Sequence, residues 1–284
     1  MRPLFCFIDD AEFELDTFNQ FAAPAFEGVE FVYAKTFEEA RQALKGRLPL
    51  CFLLDLYGTD PRVVAPQVPK ESELAAFLGN THPALEAVYQ GLHGQGTELG
   101  NLFLRRLYAQ VDCWQRTFLY AAGLLGQGLG YGLANLEAVR AAFPWAAAIG
   151  YTRKSLFADA VKACEAGMDG LLQKPQGRTD DEIAGATKAA GPALAKGAWR
   201  AVDRRLAQQI MPIALKLAHE NVSEVLVAAL VEGLRHLGET GLGEPTRTTR
   251  ETVTALDINR LERSGLTKHE LDTVLAMAEW LEHR

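Results

Sequence analysis

The sequence predicts an α/β fold, a doubly wound five-stranded parallel sheet, followed by helices alone. Three observations carry this expectation. Short apolar runs at 4–8 (LFCFI), 29–33 (VEFVY), 50–54 (LCFLL), 146–150 (AAAIG) and 170–173 (GLLQ) have the length of strands and the unbroken apolar character of burial on both faces. Segments of helical spacing separate them, the alternation expected of a parallel sheet with helices on its two sides. After Gly177 no strand-like run recurs.

Taken in order, the first run ends on Asp9 and Asp10, and the second leads into FEEARQAL, which sets Phe37, Ala40 and Leu44 on one helix face. The third run stops at Asp55. About ninety residues then pass before the fourth, where a crossover needs a dozen or so plus loops. A structureless loop of that size is improbable, so the spacing predicts an inserted helical subdomain over about 62–142. Within it Phe103, Leu107, Val111, Trp114, Phe118, Ala122 and Leu125 advance by four or three, as in a helix burying one face. GLLGQGLGYG satisfies neither GxGxxG nor GxxxxGK in register and reads as a connection between helices. LFADAVKACEAG is a helix with Leu156, Ala160 and Ala163 on one face, ended by Gly167.

The last part, 179–284, is predicted as an all-helical domain distinct from the α/β part at 1–178. Trp199, Val202, Leu206, Ile210, Ile213 and Leu217 form a stripe, with a kink expected at Pro212. Asn221 with Glu224 resembles a capping box, GLGEPTRTT a loop, and Thr267 with Glu270 a cap for the final helix. These stripes predict helices packing on each other or on a second copy, hence a homodimer through the tail.

Composition excludes several function classes. An apolar share of 48% and a charged share of 23% are those of a soluble globular protein. The first residues lack the long apolar stretch of a signal peptide, and no run reaches 18 apolar residues, so a cytoplasmic protein is expected. Cys6, Cys51, Cys113 and Cys164 stand singly and the histidines show no HExxH pairing, against a disulfide framework or a zinc centre. A net charge of −7 opposes general nucleic-acid binding. The final helix, with Glu270, Asp272, Glu279 and Glu282, is too acidic for a DNA-reading element, and Arg247, Arg250, Arg260 and Arg263 alternate with acids as on a solvated face.

A set of chemical groups falls at the carboxyl ends of the strands, the edge where such sheets bind ligands. Asp9 and Asp10 end the first strand, Asp55 the third, Thr152 the fourth and Lys174 the fifth. Three converging carboxylates repel unless a cation joins them, and an all-oxygen set favours Mg²⁺ or a similar hard ion such as Mn²⁺. A hydroxyl and a mobile ammonium suit phosphate oxygens. Any one of these residues, Asp55 or Thr152 included, could be a helix cap. Their joint order points instead to a carboxylate that attacks phosphorus while metal and lysine neutralise charge.

LFCFIDDAEFELDTF, VEFVYAKTFEEARQAL, LCFLLDLYG, AAAIGYT and AVKACEAGMDGLLQKP together resemble the successive blocks of the response-regulator receiver domain (CheY-like) of two-component signalling. The resemblance covers 4–60 and 144–176 and implies a flavodoxin-like core. It implies that Asp9, Asp10, Asp55 and the backbone carbonyl of Tyr57 bind Mg²⁺, and that Asp55 takes a phosphoryl group from a histidine kinase or phosphotransfer protein. Thr152 and Lys174 would hold the phosphoryl oxygens, and the Lys174–Pro175 bond would be cis. The chain would then be a signalling protein rather than an enzyme, with a helical output that does not bind DNA. Departures are Arg153, where the family has a small residue, Leu171, where it tends to have an aromatic, and GTDP in place of Met-Pro after the acceptor. Arg153 is accordingly expected to overhang the site and slow phosphoryl exchange.

Two other readings remain open on these residues. LLDLYGTD approaches the DxDGT motif of haloacid-dehalogenase-type phosphatases, with Lys174 and the pair Asp180–Asp181 as later motifs, but Tyr57 stands where a general acid is needed and a phenol is a poor substitute. The other is a receiver-like scaffold that is never phosphorylated and serves as an interaction module.

Overall fold

A computed structural model describes residues 2–59, 67–82, 84–93, 96–153, 157–220, 224–238 and 265–283. The elements in chain order are β1 (Leu4–Ile8), α1 (Glu12–Thr17, continued by a π-turn at Phe18–Ala22), β2 (Glu30–Ala34), α2 (Phe37–Leu44), β3 (Cys51–Leu54), β4 (Gly58–Thr59), α3 (Glu71–Thr81), α4 (Leu85–Tyr89), α5 (Thr97–Leu124), β5 (Gln127–Gly128) and α6 (Gly130–Ala142). There follow β6 (Ala147–Thr152), α7 (Phe157–Glu165), β7 (Gly170–Gln173), α8 (Asp180–His219), α9 (Glu224–Gly238) and α10 (Lys268–His283). The five apolar runs are the five strands of one parallel sheet, ordered β2-β1-β3-β6-β7. In strand rank this is 2-1-3-4-5, the flavodoxin-like order.

Every residue of β1, β3 and β6 is buried, as their unbroken apolar runs require. Alternation along β1 sends Phe5 and Phe7 to one face, where they meet Phe18 of the π-turn, Phe26 and Trp199 of α8, the Phe5–Trp199 ring centroids lying 4.6 Å apart. On the other face Phe52 meets Phe37 of α2 and Phe143 just beyond α6. Thr36 caps α2 by accepting from the Glu39 amide at 3.2 Å. Gly167, at φ 89°, turns the chain out of α7 as expected.

The chain divides into two compact units, Gly58–Tyr131 and the remainder. The compact unit of the insertion, 58–131, therefore starts slightly before the expected 62–142 stretch and ends well short of its C-terminal limit: α6 from Gly132 onward lies in the sheet unit, because β6 needs a crossover helix before it. In the insertion α5 packs on α3 and α4. Tyr120 stacks on Phe77 at 4.5 Å, Tyr89 meets Phe103 at 5.4 Å, and Arg106 donates to the Val88 carbonyl at 3.2 Å. The α5 stripe expected to be buried is largely not. Of its members Ala122 is buried and Phe103, Phe118 and Leu125 are half-buried, but Leu107, Val111 and Trp114 are exposed, while Cys113 and Thr117 outside the stripe are buried. Periodicity marks an apolar face but does not say what covers it, and here α3 and α4 take the neighbouring face. The GLLGQGLGYG connection carries a small antiparallel pairing, Gly58 with Gly128 and Thr59 with Gln127.

The tail begins inside the sheet unit. α8 opens on a capping box in which Thr179 accepts from the Glu182 amide at 3.2 Å and Glu182 from the Arg178 amide at 2.7 Å. It runs unbroken through Pro192 and Pro212, with Leu206, Ile210, Ile213 and Leu217 buried. It packs on the π-turn, β6 and β7, so the last helix of the α/β fold and the first of the tail are one element, and the compact unit runs across 178/179. Trp280 of α10 stacks on Trp199 at 4.2 Å and donates to the buried Asp203 carboxylate at 2.9 Å. Lys216 contacts both oxygens of Glu270 at 3.1 Å, and Thr267 and Glu270 form the expected cap of α10. The Asn221 cap, the 241–249 loop and the four arginines from 247 to 263 lie outside the described residues. No described helix is long and apolar enough to cross a membrane.

Candidate functional site

The register of the sheet brings the sequence-predicted residues together at the carboxyl edge. Ile8 pairs with Leu54, and the Asp55 amide donates to the Ile8 carbonyl at 2.9 Å, so Asp9 and Asp55 leave adjacent strands side by side. Leu54 pairs with Gly150, which places Asp55 one step and Thr152 two steps beyond that pair. Thr152 pairs with Gln173, and its carbonyl accepts from the Lys174 amide at 2.9 Å. Each strand ends on its chemical residue because the sheet is in register, which lone motifs cannot show.

Asp9, Asp55, Thr152 and Lys174 are buried, whereas Asp10 is half-buried. Lys174 Nζ donates to Asp9 Oδ2 and, at 3.1 Å, to Asp55 Oδ1, and lies over the rings of Phe7 and Tyr151 at 5.8 and 5.9 Å. Burial alone pulls the ammonium below its usual value, but Asp55, Asp9 and Glu14 outweigh it and hold the group charged. Asp9 moves the other way. Burial pushes its carboxyl up to about 6 and the Asp55 charge adds to this, against the pull of Lys174. One ammonium is thus too little positive charge for the cluster.

Asp9, Asp10 and Asp55 each offer an oxygen, all within 4.8 Å of one another. An oxygen-only set with a charge deficit fits a hard divalent cation. Tyr57 sits two residues past Asp55. Its phenol is buried and donates to Asp159 Oδ2 of α7 at 2.6 Å, and burial with that bond raises its pKa.

Four features escape sequence reasoning. Glu14, on the first turn of α1, accepts from Arg153 Nη1 at 2.5 Å and lies 3.8 Å from Lys174 Nζ. Arg153 also donates through Nε to the Pro175 carbonyl at 2.9 Å, so its guanidinium is tied to both flanks of the lysine. The only signal for Glu14 was its place four residues after Asp10, on a helix rising from the same edge. Asp159 had no signal, since its partner comes from a loop 102 residues away. The α6 start approaches the loop after β3 so closely that a Cβ on Gly132 would lie 2.6 Å from Leu56 Cα and 2.8 Å from the Asp55 carbonyl oxygen. Asp180 and Asp181 lie exposed in the first turn of α8, where they complement its dipole. The Lys174–Pro175 bond is trans, correcting the cis form that the resemblance implied. Trans is the ordinary preference at proline, and in it Lys174 already reaches both carboxylates. Cys6, Cys51 and Cys113 are buried, with burial pushing the Cys6 and Cys51 thiols up, whereas Cys164 is exposed.

No family model matches the chain and no curated protein matches it. Among solved structures, the chain is similar to a response regulator receiver domain protein (CheY-like) from Methanospirillum hungatei. That match has 15% identity and a TM-score of 0.32 and covers 69% of this chain and 99% of the other. A response regulator protein from Burkholderia pseudomallei, with a phosphorylated aspartic acid, calcium ion and citrate, matches at 16% identity and a TM-score of 0.32, covering 85% and 99%. The sheet order and the edge cluster of this chain stand independently of those matches.

Proposed function

We propose that the chain is a receiver-type signalling protein that accepts a phosphoryl group on Asp55. The observation that carries this reading is the acid cluster itself: Asp55 at the end of the central β3, bonded to Lys174, with Asp9 and Asp10 beside it at the ligand edge of a 2-1-3-4-5 sheet. A histidine kinase or phosphotransfer protein is the donor this chemistry fits. An Asp55 oxygen attacks phosphorus, the O–P bond forms as the P–N bond to the donor imidazole breaks, and the imidazole leaves with the electron pair and takes up a proton. Asp9, Asp10, Asp55 and the Tyr57 carbonyl are the groups that would hold Mg²⁺ or Mn²⁺, which would supply positive charge against the phosphoryl oxygens. Lys174 adds a second positive charge at the same point, and Thr152 supplies a hydroxyl at the neighbouring strand end.

A phosphatase of the haloacid-dehalogenase type is less well supported, because the Tyr57 phenol is buried and engaged with Asp159 rather than available as an acid. The non-phosphorylated scaffold has one observation in its favour, the tie of Arg153 to Glu14 and the Pro175 carbonyl beside the lysine. Incubation with Mg²⁺ and acetyl phosphate, read by intact mass, separates the readings. The expected outcome is a gain of one phosphoryl group, lost in Asp55→Ala. Absence of any gain, with a cognate kinase as well, leaves the scaffold. The output runs through the helical tail rather than DNA: α10 carries Glu270, Asp272 and Glu279 and docks on α8. A tail-mediated dimer would rest on Met211, Leu215, Val225 and Val231, which remain exposed while most of the tail's stripe is buried within the chain.

A further inference from the structure

A row of exposed apolar side chains lies on one side of α5. Leu104, Leu107, Tyr108, Val111 and Trp114 are exposed by 61, 38, 66, 45 and 59%. Their spacing of three and four residues stacks them on one side of the helix over about three turns. The opposite side, around Cys113 and Thr117, is the one that α3 and α4 cover. Leu104 and Val111 are seven residues apart, as are Leu107 and Trp114, the repeat of a seam between two helices. His82, just after α3, touches its edge with a ring centroid 4.8 Å from that of Trp114, which nevertheless stays exposed.

We propose that this stripe is the interface of a homodimer, in which α5 of one protomer packs antiparallel on α5 of its partner across a two-fold axis at Val111. The pattern is self-complementary. A copy reversed about Val111 sets Leu107 and Tyr108 of each protomer against Trp114 of the other, two aromatic contacts around an aliphatic centre. The five side chains offer roughly 600 Å² per protomer, the size at which stable interfaces begin.

Charge argues against other occupants. The seam positions carry no acidic or basic side chain. Arg116 is paired with Asp112 at 2.6 Å, and Arg106 is turned onto the Val88 and Gln90 carbonyls. Arg105 is exposed beside the stripe, but one such cation is too little for a nucleic acid or an acidic peptide, or for the basic fringe that holds amphipathic helices to a lipid surface. A helix of the same apolar face leaves nothing unmatched. The proposal is independent of phosphoryl chemistry at Asp55.

The test uses the full chain. Light scattering at micromolar concentration is expected to give a dimer for the wild type and a monomer for Val111→Glu, with unchanged circular dichroism. In a Cys164→Ser background, which removes the exposed thiol, Val111→Cys is expected to form a disulfide-linked dimer on oxidation. Ala109→Cys, exposed about 160° round α5 from Val111, is not. A monomeric wild type overturns the proposal. So does a dimer that survives Val111→Glu, which would move the contact to the tail if Leu215→Glu then dissolved it. Val111-dependent binding to phosphatidylcholine–phosphatidylserine vesicles by a monomeric wild type would overturn it in favour of a membrane.

Discussion

Lys174 joins strand end to strand end: its ammonium is shared by Asp9 and Asp55, with Glu14 at 3.8 Å. Removing one partner of a buried ionic set leaves the others uncompensated, at a cost of about 3–5 kcal/mol. Lys174→Met is therefore expected to lower stability in urea by about that amount without divalent cations, and by less with Mg²⁺, which supplies charge to the same carboxylates. A loss below about 1 kcal/mol, indifferent to Mg²⁺, would show that the cluster is not electrostatically coupled. Arg153 is expected to act on access. Bound to Glu14 and the Pro175 carbonyl, it flanks the lysine on a buried edge. In Arg153→Ala both gain of the phosphoryl group from acetyl phosphate and its loss are expected to quicken, and unchanged rates for both would refute the idea.

Among the elements, α6 comes closest to the backbone of the loop after Asp55. Its first turn runs against Leu56, with the Gly132 amide donating to the Leu56 carbonyl at 3.3 Å, and only a residue without Cβ fits there. The obstructing atoms are backbone, which cannot rotate away. Gly132→Ala should cost about 1–3 kcal/mol by overpacking and also slow phosphoryl uptake, because the displaced loop carries Asp55. Gly100→Ala, where a Cβ meets open space on α5, is the matched control and should be neutral or slightly stabilising. α7 is tied to the same loop from its other side by the Tyr57–Asp159 bond, so two helices hold the residues that follow the acceptor.

For the molecule as a whole, α8 makes sheet and tail one cooperative body. Phe5 of β1 touches Trp199, which stacks on Trp280, whose indole donates to Asp203. A change in the last helix should therefore be felt by the whole sheet unit. Trp280→Ala should destabilise it by about 3–5 kcal/mol, leaving the Asp203 carboxylate without its indole donor. The expected reading is a lower Tm for near-ultraviolet and far-ultraviolet signals together. A tail that melts first, with the aromatic signal of the sheet intact, would mean that α8 does not couple them.

The five strands, their order of chemical residues, and the caps at Thr36, Thr179 and Thr267 are written in local patterns. Runs buried on both faces and side chains that satisfy the next helical amide leave a trace within a few residues. Asp9, Asp10, Asp55, Thr152 and Lys174 were legible for the same reason, since each sits where an apolar run stops. Tertiary structure alone decided that Glu14 and Arg153 enclose the lysine and that Gly132 lets α6 onto the acceptor loop. It also decided that Tyr57 is held by Asp159 and that the α5 stripe faces outward. These are contacts between segments far apart in the chain, or the absence of a covering segment. The apolar moment of a helix states that a face needs a partner, and only packing states which partner it receives.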